Sequence, residues 1–98
     1  MIVVFTAEAE ADLERIGDFI AQDNPRRAVS FVTELVERCL GLAEFPEGFP
    51  LVPLYADSGV RRRSYGSYLI FYRVRGERIE ILHVMSGARD WESLLFPD

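Results

Sequence analysis

The 98-residue chain contains no lysine: all 11 of its basic residues are arginine. That absence excludes mechanisms built on a lysine nucleophile, Schiff base or general acid. Arginine is suited instead to planar recognition of carboxylates and phosphates. Cysteine is nearly as scarce. Cys39 alone cannot form an internal disulfide, and no Cys/His cluster has metal-ligand spacing, so a reducing, cytoplasmic setting without metal is expected. The chain is likewise expected to need no cofactor. His83 is the single histidine. With no carboxylate or nucleophile beside it in sequence, it reads as structural or contact-making rather than catalytic. No apolar run is long enough to span a bilayer. The opening MIVVFTAEAEADLE passes from a short apolar run straight to acids, unlike a signal peptide. No membrane partner is expected.

What is present is an uneven charge distribution. Residues 1–57 hold 11 acids and 4 arginines, whereas residues 58–98 hold 5 acids and 7 arginines. The C-terminal part is thus a basic region on a chain of net charge -5. The length suits one domain, residues 1–98, with one core.

Ile2 to Phe5 is a β-branched run that predicts a short strand. Thr6 can cap a helix whose first turn carries Glu8 and Glu10 at the positive end of its dipole. Ala9, Leu13, Ile16 and Ile20 then recur at helical spacing, to about Gln22. Asp23-Asn24-Pro25 ends this helix and starts another, since Asn24 caps well and proline is tolerated at a first helical position. Ala28, Phe31, Val32, Leu35, Cys39 and Leu42 mark its stripe, so the two helices form an antiparallel hairpin. Cys39 on that stripe reads as a small buried hydrophobe. Phe45 to Gly59, punctuated by three prolines and two glycines, reads as a loop. Three strand signals follow, at 60–65, 67–75 and 78–85, separated by Gly66-Ser67 and Gly76-Glu77. Both pairs suit two-residue hairpin turns, which gives an antiparallel meander. Ala88 to Phe96 can add a short helix carrying Trp91, Leu94 and Leu95. The class is α+β, in the order β-α-α-β-β-β.

Taking Gly76-Glu77 as the loop pairs Arg75 with Arg78, Arg73 with Glu80, Tyr72 with Ile81 and Phe71 with Leu82. The opposite charges of Arg73 and Glu80 favour this register. Alternation then sorts two faces. Leu69, Phe71, Leu82 and Val84 form the face expected beneath the helical hairpin. Arg61, Arg63, Tyr65, Tyr68, Ile70, Tyr72, Ile81, His83 and Met85 form the other, expected to lie open to a partner, because binding surfaces over-use arginine, tyrosine and methionine. The alternative is an ordinary solvated face with arginines protecting an edge strand. The candidate partner-binding residues are Arg61, Arg63, Tyr68, Tyr72, His83, Arg89 and Trp91, and no catalytic residue is assigned.

Three segments, AEADLERIGDFIAQDNPRRAVSFV, VRRRSYGSYLIFYRV and IEILHVMSGARD, together with the element order, resemble the ParE branch of the RelE/ParE toxin superfamily over nearly the whole chain. The resemblance implies a helical hairpin on a twisted antiparallel sheet and a bacterial toxin neutralised by a ParD-like antitoxin that wraps it. It also implies that ParE-like members poison DNA gyrase, whereas RelE-like members cut messenger RNA with arginines, lysines and a C-terminal tyrosine. This chain has no lysine, and Trp91, Glu92, Ser93, Leu94, Leu95 and Phe96 include no tyrosine. A negative net charge also ill suits a ribosome-bound nuclease. A gyrase inhibitor acting by binding, without sequence-specific nucleic-acid contact, is the leading expectation. The alternatives are a RelE-like nuclease using His83, Arg61 and Arg89, and a non-toxic antitoxin-binding relic.

Overall fold

The computed structural model describes residues 1–97. Strand β1 (Ile2–Phe5) leads into helix α1 (Ala7–Ala21), which turns into α2 (Pro25–Leu40). Thr6 Oγ1 accepts the Ala9 N–H at 3.1 Å, and Asn24 Oδ1 accepts the Arg27 N–H at 3.0 Å. Each cap satisfies a donor that the first turn leaves without an intrahelical partner. A Cβ at Gly17 would lie 3.3 Å from Val32 Cγ2, so the small residue lets α1 and α2 approach closely.

A segment with single helical turns at Gly41–Ala43 and Ala56–Ser58 then leads to β2 (Val60–Tyr65), β3 (Tyr68–Arg75), β4 (Arg78–Ser86) and a terminal helix, α3 (Trp91–Leu95). The sheet order is β1-β4-β3-β2, with β1 extending the antiparallel meander by pairing parallel to β4. Both hairpin loops fall at the expected pairs, closed by Tyr65↔Tyr68 and Arg75↔Arg78. Gly66 (φ 58°) and Gly76 (φ 61°) take the left-handed conformation these turns need.

The register holds from Arg75↔Arg78 to Tyr72↔Ile81, with Arg73 Nη2 donating to Glu80 Oε1 at 3.2 Å. It then shifts. Phe71 pairs with His83 rather than Leu82, so β4 carries one extra residue. Such a bulge moves every later side chain to the opposite face. Val84 therefore joins the helix-side core, and Met85 the opposite one.

The expected assignment of faces is reversed. Ile70, Tyr72, Ile79 and Ile81 pack beneath Ala9, Leu13, Ile16, Leu35, Cys39 and Leu42 of the helical layer. Phe71 lies on the far side with Val52, Val60 and Met85, beneath Leu69, Leu82, Trp91, Leu95 and Phe96. Both faces are covered, so the tyrosine-bearing face is not open. Tyrosine and arginine tolerate this because their apolar bodies are buried while their polar tips reach partners. Tyr72 Oη donates to Pro46 O at 2.9 Å.

Candidate partner-binding site

Beyond Phe5, β4 loses its neighbour on the β1 side, and α1 takes that place. Thr6 Oγ1 can bond Ile81 O (2.9 Å) or Leu82 O (3.0 Å), which ties the start of α1 to the strand. Nearly two helical turns later stands Asp12, only 3% exposed. Its Oδ2 accepts the Val84 N–H at 2.9 Å and lies 2.7 Å from His83 Nδ1, while Oδ1 accepts from Arg15. Burying this carboxylate is tolerable because the Arg15 guanidinium, the His83 ring and the Val84 N–H answer it.

Asp12 was not singled out from sequence, although a signal existed. It falls three residues after Ala9 and four before Ile16, inside the apolar stripe of α1. A carboxylate at a stripe position must find a buried partner.

Beside this junction, α1 and the end of β4 enclose a groove of about 530 Å³. Ile16, Phe19, Tyr68, Val84 and Met85 give it apolar walls, and Arg15, Asp18 and Arg89 add charge. Phe19 is exposed despite its size. A second groove of about 570 Å³ follows the helical hairpin, lined by Leu13, Gly17, Ala21, Ala28, Val29 and Val32 with Glu14 and Asp18. Both are concave and mainly apolar, the form that receives side chains of a partner segment.

The seven candidate residues are dispersed. Tyr68 and Arg89 share the first groove. Arg61 Nη1 donates to Phe49 O at 2.7 Å, and Arg63 Nη1 donates to Arg38 O at 3.1 Å. The Arg63 guanidinium also covers the Phe49 ring at 4.7 Å. These two arginines clasp β2 to the helical side of the molecule. Arg62, which points the other way, lies 5.4 Å above the Trp91 ring, and Trp91 packs on Phe71 at 5.2 Å. Tyr72 is fully buried, so its side chain offers no surface to a partner. Its hydroxyl pKa is raised, chiefly by burial.

A network on the other flank joins α2 to β2. Glu34 accepts from Arg27 Nη1 at 2.7 Å and also from Tyr65 Oη. The Arg27 hydrogen bond, then that of Tyr65, lowers the Glu34 pKa, while Tyr65 is raised foremost by its bond to Glu34. Cys39 is buried and free, its thiol pushed up to about 12 by desolvation. Among the described residues no group of acids, histidines or cysteine could hold a metal ion. No helix of the described residues is long and apolar enough to cross a membrane.

The sequence matches the family model described as the ParE toxin of the type II toxin-antitoxin system, parDE, over residues 3–91. No functionally curated protein matches it significantly. Among solved structures, a chain of the chromosomal ParDE toxin-antitoxin system from P. aeruginosa superposes with a TM-score of 0.75 and 27% identity, covering 88% of this chain and 95% of that one. A chain of the toxin-antitoxin complex RelBE2 from Mycobacterium tuberculosis has the same fold, with a TM-score of 0.65, 24% identity, and coverage of 87% and 95%.

Proposed function

We propose, because this chain belongs to the ParE toxin family of type II toxin-antitoxin systems, that it arrests growth by binding DNA gyrase and is silenced by a ParD-like antitoxin. The observation that carries the binding reading is the scatter of the groups a nuclease would have to assemble. Cleavage by 2'-hydroxyl attack needs a base, an acid and positive charge at one phosphate. Arg61 and Arg63 each give a hydrogen bond to a backbone carbonyl. His83 is engaged by Asp12. Arg89 lines the groove beside α1, which neither His83, Arg61 nor Arg63 lines. Gyrase poisoning needs no such convergence, only a surface that binds the enzyme and biases its cleavage equilibrium.

The antitoxin reading draws on the family and on the two apolar grooves along α1. A segment with apolar side chains at helical spacing could dock in either by burying them, as helix-in-groove recognition does. Titrating purified protein into DNA gyrase and plasmid should inhibit supercoiling and accumulate broken DNA, and ribosome-bound message should stay intact. His83→Ala should leave that inhibition and growth arrest largely unchanged. Cutting of ribosome-bound message by the wild type, lost in His83→Ala and without effect on gyrase, would overturn the proposal in favour of a nuclease.

A further inference from the structure

One residue departs from the local rules twice. Leu54 is 94% exposed, the most exposed large hydrophobic side chain among the described residues. It is also their only non-glycine residue with positive φ, at 70°. The cause is a four-residue turn, Val52 to Tyr55, closed by the Tyr55 N–H on Val52 O at 3.1 Å. Pro53 fills its second position and Leu54 its third. A positive φ at that third position marks a turn that selects glycine or asparagine. Leucine there is strained, and its side chain gains no burial in return.

The turn itself is held firmly on both sides. Val52 is fully buried and its N–H bonds Val60 O at 2.9 Å. Tyr55 stacks on Phe96 with centroids 3.9 Å apart and planes within 3°. Leu54 is thus a rigid, outward-pointing aliphatic knob whose strain the fold sustains. Strain of this kind gathers at functional positions.

We propose that Leu54 is the anchor by which the toxin engages a folded protein target, inserting into an apolar pocket on that protein. This rests on the reading of the chain as an inhibitor that acts by binding. A convex side chain needs a concave receiver. A short antitoxin segment offers none and would instead fill the grooves along α1. A nucleic acid fits poorly too: Arg61, Arg62 and Arg63 follow this segment directly, but a lone aliphatic side chain has nothing to pair with on a phosphate backbone, whose affinity comes from positive charge.

The test compares wild type, Leu54→Gly, Leu54→Asp and Leu54→Met for melting temperature, growth arrest on expression, and inhibition of purified DNA gyrase. Leu54→Gly should melt no lower than wild type, since it relieves strain and uncovers nothing. Leu54→Gly and Leu54→Asp should each lose roughly tenfold or more in potency, as a truncated interface anchor does, while Leu54→Met retains it. Full potency in Leu54→Asp would overturn the proposal and leave the gyrase reading standing. Growth arrest that depends on Leu54 without gyrase inhibition would support the anchor and refute gyrase as its target. A wild type that neither arrests growth nor inhibits gyrase would refute both.

Discussion

Replacing Asp12 by alanine tests whether the α1–β4 junction is held by one buried carboxylate. The substitution removes the acceptor of the Val84 N–H at 2.9 Å and of the His83 Nδ1 contact at 2.7 Å, in a place only 3% exposed. A hydrogen bond to a charged group contributes about 1.5–3 kcal/mol, and stranding a buried donor carries a penalty of similar size. The Arg15 pair adds little, since the Arg15 side chain is 61% exposed and water screens it to below roughly 1 kcal/mol. A loss of about 2–4 kcal/mol is expected, against a total stability of about 5–15 kcal/mol for a small domain. With about 4–8 °C per kcal/mol for a domain of this size, the melting temperature should fall by roughly 8–32 °C. Urea unfolding measures the free energy, and amide exchange at Val84 reports the bond itself. Asp12→Asn, which keeps an acceptor, should protect that amide better than alanine does. A loss under about 1 kcal/mol, or unchanged Val84 protection in Asp12→Ala, would show that the carboxylate is dispensable and refute the reasoning.

Cys39, buried and with its thiol raised to about 12, should resist thiol-specific reagents at neutral pH in the folded protein and react at once in denaturant. Rapid labelling of the native form would contradict this placement. Glu34, its pKa lowered by Arg27 and Tyr65, should stabilise the fold above the ordinary carboxylate value of 4.5 and lose that contribution as pH falls through its lower folded value. The stability difference between wild type and Glu34→Gln should therefore shrink on acidification, and a difference that grows would reverse the sign. Trp91→Ala uncovers Phe71 and frees Arg62. For this half-buried ring the expected loss is about 2 kcal/mol, less than for a core tryptophan, read as a lower urea midpoint.

The interaction expectation meets a different physical situation from the one it assumed. Arg61, Arg63 and Tyr65 sit on the face opposed to α2, where their tips bond Phe49 O, Arg38 O and Glu34. Composition alone does not separate that use from a docking face, because a folded interior edge and an interface want the same amphipathic side chains. Tyr68 and Arg89 alone of the proposed set line the groove beside α1, and Leu54, which no periodicity marks, is the protruding element.

Local order was determined by the sequence itself. Caps at Thr6 and Asn24, the stripes of α1 and α2, the glycine turns at Gly66 and Gly76, and the Arg73–Glu80 pair all follow from rules acting over a few residues. Their periods come from backbone geometry, so the residues alone suffice. Alternation along β3 likewise sorted its residues into two sets. It could not say which set meets the helices, because both sets are apolar enough to be covered and the choice depends on where α1, α2 and α3 dock. The bulge in β4, the clasp of Arg61 and Arg63, and the bond from Val84 to Asp12, 72 residues away in sequence, arise only once distant segments share space. These were decided by packing and by the requirement that each buried polar group find a partner.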